Sequence, residues 1–172
     1  MKRLLLILIL VGFTLQSCVR ENNQVFMFSY FTGNGEDGLH LAYSNDGYQW
    51  KALNDGKSFL TPKVGNDKLM RDPCIIKGPE GNFHMVWTVS WDEKGIGYAW
   101  SEDLIHWSEQ QYIPVMEHEP KAKNCWAPEL FYDKKTEQFL IVWATTIPGR
   151  FPETDNQSDE GPPHPGNNHR LY

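Results

Sequence analysis

The stretches SNDGYQW (residues 44–50) and SEDLIHW (residues 101–107) share a Ser, an Asp and a Trp in the same order. The match runs further: Ser44 and Ser101, Asp46 and Asp103, Trp50 and Trp107, and Phe26 and Phe83 are each 57 positions apart. No other feature constrains the fold as much. Units that recur at such a period bury their apolar faces only against neighbouring units, as in solenoids, propellers and arrays. The pattern inside one unit decides among these. In the second unit CIIK, FHMVWTV and IGYAWS are short β-branched or aromatic runs separated by the turn signals GPEGN and DEKG, and YIPVM follows Trp107. Four short antiparallel strands make up one propeller blade.

The third unit repeats the pattern with ELFYD, the turn KKTEQ and FLIVWATT, but Trp143 follows Trp87 by 56 positions, so one turn is a residue shorter. No segment has the apolar spacing of a long amphipathic helix, and the expected class is all-β. The recurring Ser and Asp are expected to hold a tight turn by side-chain to backbone hydrogen bonds, with the Trp packed between blades. Counting 57 back from the second unit's first strand lands in the apolar N-terminal run, so the first unit lacks its innermost strand. A closed propeller produces this when its N-terminal strands complete the last blade, which would put residues 25–50 beside the far end of the chain. The far end, NHRLY, aligns with the start of KGIGYAW in mid-blade. About two and a half blades cannot close a ring of at least about four. The expectation is an N-terminal piece of a longer protein.

Residues 1–18 stand apart. MKR is basic, and LLLILILVGF is apolar but too short to span a bilayer as a helix, which takes roughly 20 residues. This reads as an export signal, leaving 19–172 as the mature domain. It ends in LQSC, which resembles the bacterial lipoprotein box, so Cys18 is the expected lipid attachment. The expected location is the periplasm or the outer-membrane surface, reached through the lipid alone. Loss of Lys2 and Arg3 takes the formal charge from −6 to −8 and leaves Arg20, Arg71, Arg150 and Arg170. Such an acidic chain is a poor partner for nucleic acid. Cys74 and Cys125 are compatible with a disulfide or with two buried thiols. There is no CxxC, Cys/His cluster or HExxH, and no cofactor is implied, an axial calcium ion being left open.

Asp72 in LMRDPCI and Glu129 in NCWAPELF are also 57 apart, each where an innermost strand should begin. Innermost strands line a propeller axis, so the two carboxylates are expected to converge on one pocket. Paired carboxylates suggest glycoside hydrolysis, about 6.5–9.5 Å apart for inversion and about 5–5.5 Å for retention. The plainer alternative is that Asp72 caps the turn before Pro73 and Glu129 is solvated.

Together RDPCI, SEDLIHW and WAPELFYD resemble glycoside hydrolase family 43 over nearly all of residues 25–147. The resemblance implies a five-bladed β-propeller that removes arabinofuranosyl or xylosyl residues from plant-type polysaccharides with inversion. It implies that Asp72 is the general base activating water and that Glu129 modulates the pKa of the general acid. A nearby negative charge keeps that acid protonated near neutrality. Two departures stand out. The residue after Trp-Ala-Pro is usually Asp in that family, and the family's general acid would fall beyond Tyr172. Residues 19–172 alone are therefore expected to be inactive.

Around the carboxylates, Trp126 is the expected sugar-stacking residue, while Trp91 and Trp100 are expected to pack within blades. Arg71 is expected to bond a substrate hydroxyl or to pair with Asp72. His118 in MEHEP is a further pocket candidate. Residues 148–168, rich in Pro and Gly, replace a short hairpin and are expected to form a loop shaping the substrate subsites. Three other readings remain. A noncatalytic surface glycan-binding propeller would keep the fold without the acid. The chain is also similar to fructan hydrolases through RDP, although Trp126 occupies the place of their acid. SNDGYQW approaches the sialidase Asp box, whose enzymes need an Arg cluster to hold the substrate carboxylate.

Overall fold

A computed structural model describes residues 24–154 and 168–172. The export signal with Cys18, and residues 155–167 of the 148–168 loop, lie outside the described residues. The strands are β1 (Phe26–Tyr30), β2 (His40–Ser44), β3 (Lys51–Ala52), β4 (Arg71–Lys77), β5 (Phe83–Thr88), β6 (Ile96–Ser101), β7 (Gln111–Ile113), β8 (Trp126–Asp133), β9 (Gln138–Thr146) and β10 (His169–Leu171). They form three antiparallel sheets in chain order, β1-β2-β3, β4-β5-β6-β7 and β10-β9-β8, with one 3-10 turn at Asn54–Gly56. The all-β expectation holds.

The pairing registers carry the repeat. Phe26 pairs with Ser44 as Phe83 pairs with Ser101, which makes β1 and β2 the counterparts of β5 and β6. Among the described residues the first sheet therefore has no counterpart of β4, as the 57-residue count anticipates. Residues 25–50 are tied to the second unit: β1 lies against β4, and Ser29 Oγ donates to the Pro73 carbonyl at 2.7 Å.

Side chains alternate across a strand, so the middle sheet presents two apolar faces. Met85, Trp87 and Ala99 pack against Leu39 and Leu41 of the first sheet. Val86 and Ile96 pack toward Leu130, Ile141 and Trp143 of the third. Burial on both faces makes the middle sheet the centre of the domain. The outward faces of its neighbours leave Phe28, Phe131, Leu140 and Leu171 exposed.

The two Ser/Asp turns are superposable in their bonding. Ser44 Oγ accepts from Gly47 N–H at 2.8 Å, and Ser101 Oγ accepts from Leu104 N–H at 2.8 Å. Asp46 Oδ1 accepts from the backbones of Tyr48 and Gln49, and Asp103 Oδ1 from those of Ile105 and His106. Gly47 has φ +76° and Leu104, its counterpart, φ +66°. Trp107 packs against the first core, as expected of a Trp between blades, whereas Trp50 lies on the outward face against Phe28.

These turns make a pH prediction. The His106 side chain, then backbone N–H groups, hold the Asp103 carboxyl well below its ordinary 3.8, and backbone N–H groups lower Asp46. A depressed carboxyl contributes stability above its unfolded value and loses it as pH falls toward the folded one. Melting temperature measured from pH 7 to pH 2 should fall below about pH 4. Asp103→Asn should lower the plateau and flatten that acid limb.

Of the two states open to Cys74 and Cys125, the free thiols are found. Burial raises both, Cys125 to about 11, so neither is a poised nucleophile.

Candidate functional site

Strands β4 and β8 each begin with a bulge. Arg71 pairs with Thr88 and the next pair is Cys74 with Val86, so Asp72 and Pro73 bulge out. Likewise Trp126 pairs with Ala144 and Glu129 with Val142, so Ala127 and Pro128 bulge out. Asp72 has φ +50° and Ala127 φ +45°, left-handed conformations that cost a non-glycine residue about 1–3 kcal/mol. The next residue is proline in both cases, which disfavours a right-handed helical conformation and helps hold the bulge.

This register corrects the spacing drawn from the sequence. The counterpart of Asp72 is Ala127, and Glu129 corresponds to Cys74. The outer strands repeat at 57, but the connection from the turn Trp to the inner strand is two residues shorter in the third unit, so the inner strands repeat at 55. Glu129 is exposed, on the face that also carries Phe131, Leu140 and Val142. Among the described residues its side chain has no hydrogen bond or ion pair, and its charge is felt at Cys74.

The bulge that carries Asp72 is tied to all three sheets, its carboxylate directly to one of them. Thr88 Oγ1, on β5, donates to Asp72 Oδ2 at 3.1 Å. The Ala127 N–H, on β8, donates to the same Thr88 oxygen at 2.9 Å. Ser29 of β1 bonds the Pro73 carbonyl. No described residue bonds Asp72 Oδ1.

Arg71 does not pair with Asp72. Its Nη1 donates to Asn34 Oδ1 at 2.7 Å, and its guanidinium lies 4.3 Å from the Trp91 ring centre and 4.9 Å from that of Phe31. Trp91 Nε1 donates to the same Asn34 oxygen at 3.1 Å. Asn34 reaches this position because Gly35, at φ +90°, lets its loop close on β4: a Cβ there would stand 2.8 Å from the Met70 carbonyl oxygen. Trp126 Nε1 donates to the Trp91 carbonyl at 2.9 Å, and the two indoles meet edge-on with centres 5.3 Å apart. His169, at the start of β10, lies 4.7 Å from the Trp126 ring.

Asp72, Arg71 and Trp126 thus belong to one polar and aromatic patch at the starts of β4 and β8. Trp91, expected to pack within a blade, is an exposed member of it. His118 is exposed in the connection before β8, and among the described residues no hydrogen bond or ring contact joins it to the patch. Thr88, Phe31, Asn34 and His169 went unrecognised in the sequence. The TGNGEDG loop signalled an unusual turn around Asn34, but nothing local marked the others. Among the described residues no three His, Cys, Asp or Glu side chains gather as a metal site.

A repeated antiparallel sheet fold that carries a carboxylate, a guanidinium and two indoles in one patch offers the kinds of group that sugar sites use. Residues 21–164 match the family described as a probable glycosyl hydrolase domain, related to glycoside hydrolase family 43, and the chain belongs to that family. No curated protein matches it. Among solved structures it is similar to a family 43 β-1,3-galactosidase with galactodeoxynojirimycin, at 14% identity and a TM-score of 0.30. That likeness covers 72% of this chain and 36% of the other.

Proposed function

We propose that this domain supplies the base side of an inverting glycosidase site that removes arabinofuranosyl or xylosyl residues from plant-type polysaccharides. Asp72 is the general base, Glu129 the residue that tunes the general acid, and Arg71 and Trp126 are the sugar contacts. The observation that carries the reading is the Asp72 carboxylate, fixed through one oxygen in a strained bulge whose preceding residue, Arg71, lies against the exposed Trp91 indole. A carboxylate so held can take a proton from a water positioned against the anomeric carbon, while a sugar stacks its C–H face on an indole. Arg71 keeps guanidinium N–H groups beyond the one bonded to Asn34, and these can donate to sugar hydroxyls.

A glycosyl fluoride tests the base without the acid, because fluoride leaves without protonation. The full chain is incubated with arabinofuranosyl and xylosyl fluorides and the first anomer released is read by proton NMR. The expected result is hydrolysis with inversion. Retention, or neither hydrolysis nor sugar binding, would overturn the reading. Binding without hydrolysis would favour the second one, a noncatalytic surface glycan-binding module. What favours that alternative is Glu129, which shares no hydrogen bond with Asp72 or its partners. Export and lipid anchoring through Cys18, at the periplasmic or outer-membrane surface, belong to the same proposal. Palmitate labelling of the native protein that persists in Cys18→Ala would contradict the anchor.

A further inference from the structure

We propose that Thr88 is a positioning residue for Asp72: its hydroxyl decides which carboxylate oxygen is left to take a proton, and it ties that carboxylate to the neighbouring inner strand. The inference rests on the reading of Asp72 as general base. A hydroxyl donates one proton and accepts through its lone pairs. The Ala127 amide can only donate, so its bond of 2.9 Å uses a lone pair of Thr88 Oγ1. The hydroxyl proton is then directed to Asp72 Oδ2, 3.1 Å away. The polarity runs in one direction, from the Ala127 amide through the Thr88 hydroxyl to Asp72.

Burial makes the arrangement durable. Thr88 is 2% exposed, which keeps solvent from competing for either bond. Its β-branched side chain has few χ1 choices, so the oxygen stays in line. With Oδ2 committed to Thr88, a proton arriving at the carboxylate lands on Oδ1, the oxygen that no described residue bonds. Thr88 also touches both left-handed bulges, Asp72 at φ +50° and Ala127 at φ +45°. A shift in the third sheet's inner strand is therefore felt at the carboxylate through one side chain.

The test uses the full chain. In the parent protein the Ala127 amide shifts should follow the Asp72 carboxyl carbon signal through its pH titration. T88V and T88A should abolish that dependence and T88S should keep it, and reading both hydroxyl-free variants separates lost bonding from poor packing. On whichever glycosyl fluoride is hydrolysed, T88V should lower kcat about tenfold or more with KM changed less than about twofold, and T88S should recover most of the rate. In a D72N background T88V should add no further loss, because a residue acting through Asp72 has nothing left to position.

An Ala127 amide that still follows Asp72 in T88V and T88A, or a T88S protein as slow as T88V, would overturn the positioning role. A D72N protein as active as the parent would instead overturn the general-base reading. The amide measurement then judges Thr88 independently of catalysis.

Discussion

Asp72→Asn should lower kcat/KM on the hydrolysed glycosyl fluoride about a thousandfold, within the range that general acid and base groups supply. The substitution isolates proton acceptance. An Asn amide has nearly the shape of the carboxylate, and its oxygen still accepts the Thr88 hydroxyl at the position of Oδ2. What it lacks is the basicity to take a proton from water. The melting temperature should stay within a few degrees, since the bulge, Pro73 and the Ser29 bond are untouched. A base that activates water should show the loss mainly in kcat, with KM little altered. Activity within about fivefold of the parent, at unchanged fold, would remove Asp72 from the chemistry and leave it as a turn residue before proline.

The largest effect on stability is expected at Trp87. Its indole is fully buried at the centre of the interface between the first and middle sheets, against Leu39, Leu41, Met70 and Met85. Trp87→Ala should cost about 3–5 kcal/mol, because a cavity of that size between two sheets cannot collapse without breaking their registers. A domain of this size has about 5–15 kcal/mol to lose, so urea unfolding should move to a much lower midpoint and the first sheet should detach from the second before global unfolding.

Gly97, paired with Trp87 across β5 and β6, is the other half of the fit, as a Cβ there would lie 2.0 Å from the indole. Gly97→Ala should cost about 1–3 kcal/mol through overpacking. Ile105→Ala, at an exposed position, should fall within about 0.5 kcal/mol of the parent. An unfolding midpoint for Trp87→Ala no lower than that of Ile105→Ala would mean the sheets do not depend on this contact.

Much of the architecture was legible because the outer strands keep an almost constant period. Ser44, Asp46 and Trp50 recur as Ser101, Asp103 and Trp107 in identical turns, since a side-chain-bonded turn needs particular residues at particular offsets. The aromatic and β-branched run FHMVWTV was read as a strand, and both faces of that strand are buried. The site was only half legible. Asp72, Arg71 and Trp126 share one patch, as their places at the starts of two inner strands implied. Trp91 was assigned to packing because an aromatic residue after a strand looks the same in sequence whether it faces a neighbour or solvent. Equating Asp72 with Glu129 carried an outer-strand period into an inner strand, where two residues had been lost from the preceding connection.

The sequence by itself determined the all-β class, the repeat of the outer strands and the turn chemistry. These follow from local periodicity and from residue types that serve few purposes. Tertiary structure alone decided that Ala127 is the counterpart of Asp72, that Asn34 holds both Arg71 and Trp91, and that Thr88 joins two sheets through one hydroxyl. Each of these depends on a bulge or a close approach between segments far apart in the chain, where a one-residue change of register exchanges the faces of a strand.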